Sequence, residues 1–410
     1  MIPNLLRRTV RAATVAGLAA VVLASTGLAG PAGSVAGPAP ALAASAAWTG
    51  HGGLTSIALD GADPARRTLS ARRTAPFSMV GLTWADPRAE LGGTAEVRTR
   101  DHRTGAWSGW RALDQDVRTP GAGPDSRGAG VRAGTQPLWT GASDGVQVRI
   151  AAAGGAGAEL PAGLRVDLVD PWTGAGSAGA RPAGAATAGG AAEGATVPDA
   201  PAAAAAERPA ITPRSGWGAD ESLVVAPPTY TTETKAVFVH HTAGTNDYTC
   251  EQSADVIRAI FLYHVQGQGW NDIGYHFLVD KCGTVFEGRA GGVDKPVLGA
   301  QTYGFNTDTA GIAVLGNYNE AVSTQPVLDA LAGVAAWKLG LYGHDPAGTV
   351  DLTAAADNGL YKKGQVVTLS RISGHRDGFP TECPGEHLYA DLPAVRRLAV
   401  AEPVQVSPLG

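Results

Sequence analysis

Between Trp48 and about Pro171 the chain alternates apolar and polar residues with a period of two, in stretches at 77–84, 95–100, 146–150 and 164–169. Successive side chains on a strand point to opposite faces, so each stretch presents one apolar edge, and the Gly, Pro and Asp between them supply turns. The pattern predicts a small all-β, sandwich-like domain over residues 48–171. Within it, Trp107 and Trp110 offer an aromatic pair that serves either as an exposed carbohydrate platform or as ordinary rim packing. No catalytic cluster falls in this segment.

The period changes further on. Residues 236–239 form the continuous apolar run of a buried strand. Residues 251–265 carry Val256, Ile257, Ile260, Phe261 and Val265 at helical spacing. Residues 274–279 and 284–287 flank Asp280-Lys281-Cys282-Gly283 as a hairpin, 309–315 is a further strand, and 325–341 is a helix with Val327, Leu331, Val334 and Leu339 on one side. This order predicts an α/β domain over 209–400, a central mixed β-sheet flanked by helices. Between the two domains, 174–206 is Ala, Gly and Pro with almost no large apolar side chain. Such a segment buries too little surface to offset its ordering entropy and reads as a flexible linker.

A length of 410 residues suits two or three domains. With 37 acidic and 32 basic side chains the net charge is −5, which argues against a polyanion-binding surface and so against nucleic acid as a partner. At the amino terminus, Arg7, Arg8 and Arg11 precede an apolar stretch from 12 to 30, and Ala41-Leu42-Ala43 gives a small-x-small cleavage pattern. Residues 1–43 are therefore read as a signal peptide. The mature chain would be secreted and associated with the cell wall, without stable membrane insertion; an uncleaved anchor is the alternative reading. The three cysteines, Cys250, Cys282 and Cys383, are an odd number for an exported chain. Either one thiol has a separate task or the protein pairs with another molecule.

Candidate chemistry concentrates in the carboxy-terminal domain. His240 and His241 end the first strand, His375 lies in Gly374-His375-Arg376, and Cys383 lies in Thr381-Glu382-Cys383-Pro384-Gly385. A catalytic zinc ion takes three protein ligands and keeps a fourth position open, and two imidazoles with one thiolate meet that need. Alternation along the strand sends His240 and His241 to opposite faces, so one of them joins the site; parity does not say which.

Six words occur in order: Phe238-Val239-His240-His241-Thr242-Ala243-Gly244, Gly269-Trp270-Asn271-Asp272-Ile273-Gly274-Tyr275-His276-Phe277, Gly288-Arg289, Gly311-Ile312-Ala313-Val314-Leu315-Gly316-Asn317-Tyr318, Gly374-His375-Arg376 and Thr381-Glu382-Cys383-Pro384-Gly385. Across residues 214–388 this series resembles the peptidoglycan recognition protein and type 2 N-acetylmuramoyl-L-alanine amidase family. The resemblance implies a secreted Zn2+-dependent hydrolase of the lactyl–L-Ala amide bond, monomeric, with peptidoglycan as its partner. It implies His240, His375 and Cys383 as metal ligands, with His241 structural. It places Tyr275 and Thr381 in catalysis and marks Trp270, Arg289, Gln301 and Asn306 as candidate substrate contacts. It also implies a bridge between Cys250 and Cys282. Where many relatives have Gly-Ala-His, this chain has Gly299-Ala300-Gln301, which hydrogen-bonds but does not titrate. A peptidoglycan-binding protein without catalysis and a wall-surface adhesion protein are the alternative functions.

Overall fold

The computed structural model describes residues 53–115, 130–154, 157–172, 206–224 and 226–400. The expected signal peptide, and the expected linker apart from Ala206, lie outside the described residues.

The amino-terminal domain is built from β1 (Gly53–Ala58), β2 (Arg66–Trp84), β3 (Gly93–Asp101), β4 (Arg111–Ala112), β5 (Ala133–Gly134), β6 (Leu138–Ala152) and β7 (Arg165–Asp170). They form one antiparallel sheet in the order β1-β7-β2-β6-β3-β4, with β5 also on β2. β2 shifts register against β6 at three places, the last between Phe77 and Met79. Such bulges bend a strand and re-aim its side chains. Beyond the last one, Val80, Leu82 and Trp84 enter the domain's own core with Val97, Val148, Ile150, Val166 and Leu168. Met79, Gly81 and Thr83 face the other way.

In the carboxy-terminal domain the sheet is mixed, as expected. Its strands are β8 (Ile211–Thr212), β9 (Ala236–His241), β10 (Phe277–Val279), β11 (Val285–Glu287), β12 (Thr309–Val314) and β15 (Ile372–Gly374). The order is β15-β9-β12-β10-β11-β8, and only the β10–β11 hairpin is antiparallel. β13 (Thr349–Thr353) and β14 (Val366–Ser370) form a separate ribbon. The helices are α1 (Arg214–Trp217), α2 (Ser253–Leu262), α3 (Gln325–Gly340), α4 (His375–Gly378) and α5 (Glu386–Val400). One face of the sheet, through Val237, Val239, Phe277, Val279, Ile312 and Val314, packs on Val327, Leu331, Val334 and Trp337 of α3 and Leu388, Leu392 and Val395 of α5. Leu278, Phe286 and Ala313, on the opposite face, pack with Ile257, Ile260 and Phe261 of α2. Among the described residues no helix is long and apolar enough to cross a membrane.

The two domains share a core. Met79, Trp139 and Val169 of the first pack into the cluster formed by α2, Tyr248 and Tyr263 of the second. After α2 the helix widens into a single π turn over Tyr263–Gly267. That turn brings the fully buried Tyr263 against the amino-terminal sheet, where its hydroxyl is shared by the carbonyls of Leu82 (2.8 Å) and Thr135 (3.0 Å). Gly81 and Gly134 make the approach possible, because a Cβ would lie 2.5 Å from the Tyr263 ring at the first and 2.7 Å from its hydroxyl at the second. Arg165 adds a bond to the Gly267 carbonyl at 2.8 Å.

Candidate metal centre

Three elements converge at the carboxyl ends of the parallel strands. β9 is buried along its whole length and pairs in register with β12, setting His240 beside Ala313 and His241 beside Val314. Ala313 belongs to the α2 face of the sheet and Val314 to the α3/α5 face. The pleat therefore sends His240 to the α2 side and His241 to the other, where its Nδ1 accepts the Tyr318 backbone N–H at 3.1 Å.

His375 opens α4 directly after β15. The backbone N–H of Gly374 donates to Asp377 at 2.8 Å, and Tyr389 donates to the same carboxylate at 2.6 Å. The His375 ring stacks on Phe379, 5.4 Å between centroids. The loop carrying Cys383 is tied at both ends: its N–H donates to the Thr381 hydroxyl at 3.0 Å and its carbonyl accepts from the Arg376 N–H at 2.9 Å. Gly385 lets the loop meet the chain at Tyr318; φ there is +93° and a Cβ would lie 2.4 Å from the Tyr318 carbonyl carbon. Only glycine tolerates both conditions.

The result is one cluster. Ligand atoms of His240, His375 and Cys383 lie within 4.8 Å of one another, and all three residues are buried. The Cys383 sulfur is 3.7 Å from His240 Nδ1, and the two imidazole rings are 4.4 Å apart. Burial, reinforced by the neighbouring imidazoles, holds His240 well below its ordinary pKa and His375 at about 3. Both therefore remain neutral electron-pair donors at any physiological pH. Two nitrogens and a sulfur, with no fourth His, Cys, Asp or Glu in the group among the described residues, fit a zinc ion that keeps one position open. Cys250 and Cys282 are bonded to each other, and Cys383 is the cysteine outside that disulfide among the described residues.

Around the cluster, the Tyr275 ring is 5.3 Å from that of His240. Burial and the Cys383 sulfur push its hydroxyl above the usual phenol range, while the Gln136 side chain pulls the other way. Thr302 sits 3.4 Å from His240 Nε2, the nitrogen turned away from Cys383, and its own backbone N–H donates to the Asn306 side chain at 2.8 Å. Thus Asn306 reaches the site through Thr302. Trp270 is buried and stacks on His264 at 4.3 Å, while Arg289 donates to the carbonyls of Ile273 (3.0 Å) and Leu298 (3.1 Å). Gln301 is buried over Gly311 and donates to the Thr309 hydroxyl at 3.0 Å. The aromatic pair of the first domain carries guanidinium groups: Arg149 lies 4.1 Å from the Trp110 ring, and Arg98 lies 5.4 Å from Trp107 and 5.2 Å from Trp110. Sequence reading missed two neighbours of the cluster. Thr302 follows Gly299-Ala300-Gln301, where a polar side chain was weighed one position too early. Gln136 lies in the other domain and carries no local signal.

Residues 230–386 match the family described as N-acetylmuramoyl-L-alanine amidase, and residues 36–193 match the Rv3811 N-terminal galactose-binding domain-like family. Peptidoglycan-recognition protein SC2 of Drosophila simulans is 30% identical over 154 residues, which are 38% of this chain and 70% of that protein. The chain belongs to the peptidoglycan recognition protein and type 2 amidase family. Human N-acetylmuramoyl-L-alanine amidase is 32% identical over 190 residues, 44% of this chain and 27% of that protein. Among solved structures, wild-type Drosophila PGRP-LB shares 26% identity, covering 45% of this chain and 92% of its own, with a TM-score of 0.35.

Proposed function

We propose that this family member is a secreted, zinc-dependent N-acetylmuramoyl-L-alanine amidase that cleaves the lactyl–L-Ala amide of peptidoglycan. The observation that carries the reading is the buried His240, His375 and Cys383 triad, whose ligand atoms lie within 4.8 Å although the residues span 143 positions of the chain. A zinc ion held there would polarise the scissile carbonyl and supply a hydroxide equivalent at neutral pH. His240, His375 and Cys383 would hold it, and Thr302 would fix the His240 ring through Nε2. Tyr275 is the phenol beside His240, suited to orient the attacking water and to pass a proton to the leaving amine. The Thr381 hydroxyl accepts the Cys383 N–H, which holds it in the loop beside the cluster, where it would donate to the developing oxyanion. Trp270, Arg289 and Gln301, enclosed as they are, would shape the substrate groove from behind, with Asn306 supporting Thr302.

Digestion of purified peptidoglycan by the mature protein, with and without chelator, tests this reading. New L-alanine amino termini should appear, vanish with chelator and return with zinc. A zinc-loaded protein that retains muropeptides and releases no amine is a binder instead.

A further inference from the structure

The amino-terminal domain borders the metal centre on two sides. At one, the Pro137 carbonyl oxygen lies 3.8 Å from where a Cβ on Gly244 would stand, just past the paired histidines. At the other, the turn after β2 and Gln115 face Phe379 and Pro380, in the segment that joins His375 to Cys383, and enclose a cavity of about 250 Å³. Phe379 stacks on the His375 imidazole, 5.4 Å between centroids, so one residue separates the cavity from a candidate metal ligand.

The wall supplied by the first domain is fixed before any ligand arrives. Trp84 Nε1 donates to the Ala89 carbonyl at 2.8 Å, the Arg88 N–H to the Asp86 carboxylate at 2.9 Å, and Gln115 Nε2 to the Gly93 carbonyl at 2.7 Å. Its chemistry is mixed. Pro87, Leu91 and Pro380 give apolar surface, while Arg88, Glu90 and Gln115 bring both donors and acceptors. The charges of Arg88 and Glu90 balance, and the exposed Arg88 guanidinium already lies 3.7 Å from Asp86. A stem peptide rich in carboxylates gains little from a wall without net positive charge. A neutral sugar, with apolar C–H faces and hydroxyls that donate and accept, matches it. The volume is just under the ~300 Å³ at which drug-sized sites begin, room for a single sugar ring. We propose that this interdomain cavity is a subsite for the glycan strand, holding a neutral sugar next to the unit whose lactyl amide meets the metal. This deepens the amidase reading given above and rests on it for the identity of the strand.

The test reads binding rather than turnover. The full mature chain, loaded with zinc, is titrated calorimetrically with a β-1,4-linked N-acetylglucosamine tetrasaccharide and, separately, with the free stem tetrapeptide. The double variant Arg88→Ala, Gln115→Met should bind the tetrasaccharide ~10-fold more weakly and the tetrapeptide within about 2-fold of wild type, with Tm unchanged. Pro380→Trp, which fills the cavity from the other domain, should give the same split. Undiminished tetrasaccharide binding in either variant overturns the proposal, as does a wild type that binds no tetrasaccharide. A loss confined to the tetrapeptide assigns the cavity to the stem peptide and overturns it too. A zinc-loaded wild type that releases no amine yet shows the split ends the amidase reading alone, whereas an active wild type beside variants of undiminished sugar affinity ends the subsite alone.

Discussion

The sulfur of Cys383 and Nδ1 of His240 lie 3.7 Å apart, brought together across 143 residues of chain. The backbone N–H of His241 also points at that sulfur, at 3.3 Å. The thiolate is the form that binds metal, and the amide N–H would donate to that sulfur once the metal had displaced its proton. Cys383→Ser replaces it with a hydroxyl that is a poor zinc ligand near neutral pH. Metal content by mass spectrometry should fall from one zinc per chain to near zero, and amine release should fall to background. Equal activity in the variant would remove Cys383 from the ligand set.

Thr302 faces the nitrogen of His240 that points away from Cys383, at 3.4 Å. Partners of this kind fix the tautomer and ring orientation of a ligating histidine, and losing them typically weakens metal affinity ~10- to 100-fold. Thr302→Val keeps the shape and removes the hydroxyl. Competition with a calibrated chelator should show that loss, with the fold intact by circular dichroism.

Acid should destabilise the metal-free protein through histidines that do not belong to the cluster. His264 and His276 are buried, and burial holds each at about 3, against about 6.5 in an unfolded chain. Between those values the unfolded chain binds more protons than the folded one, so this stability is present above pH 6.5 and is lost as the pH falls toward 3. Together the two groups should cost about 4 kcal/mol between pH 7 and pH 5. Urea unfolding of chelated protein at the two pH values should show at least this loss, since His240, His241 and His375 are held low by the same burial, and an unchanged midpoint would mean that neither ring is held neutral.

Cys250 and Cys282 close a loop of 32 positions between the turn that precedes α2 and the β10–β11 hairpin. In the chain-entropy account such a crosslink contributes about 3 to 4 kcal/mol. A Cys250→Ser, Cys282→Ser double variant should lose roughly that much in denaturant titration. It should still release amine at low temperature, because neither sulfur belongs to the His240, His375 and Cys383 group.

The mixed sheet was legible in the sequence from its period, whereas the grouping of His240, His375 and Cys383 came from the family words, because parity does not choose between His240 and His241; the expected loop from His375 to Cys383 in fact begins as α4. The helix expected at 251–265 is in fact a 3-10 turn, α2 and a π turn in succession, which one hydrophobic stripe cannot distinguish. β15 spans only Ile372–Gly374, too short to show any period. The 19 residues of β2 also exceed the run read at 77–84, because its first half is largely exposed and rich in Arg, Thr and Ser, leaving no apolar face to detect. The docking of the domains was illegible for the opposite reason. Met79 and Val169 sit in strands buried on both sides, and an apolar residue there reads equally as part of its own core.

Tyr263 acts as a peg seated in a socket of two glycines, and the apolar cluster around it draws side chains from both halves of the polypeptide. Severing the backbone between 173 and 205 would therefore yield two fragments that travel together through a sizing column. A protease in the surroundings could nick this molecule without disarming it, and the halves would part only in denaturant.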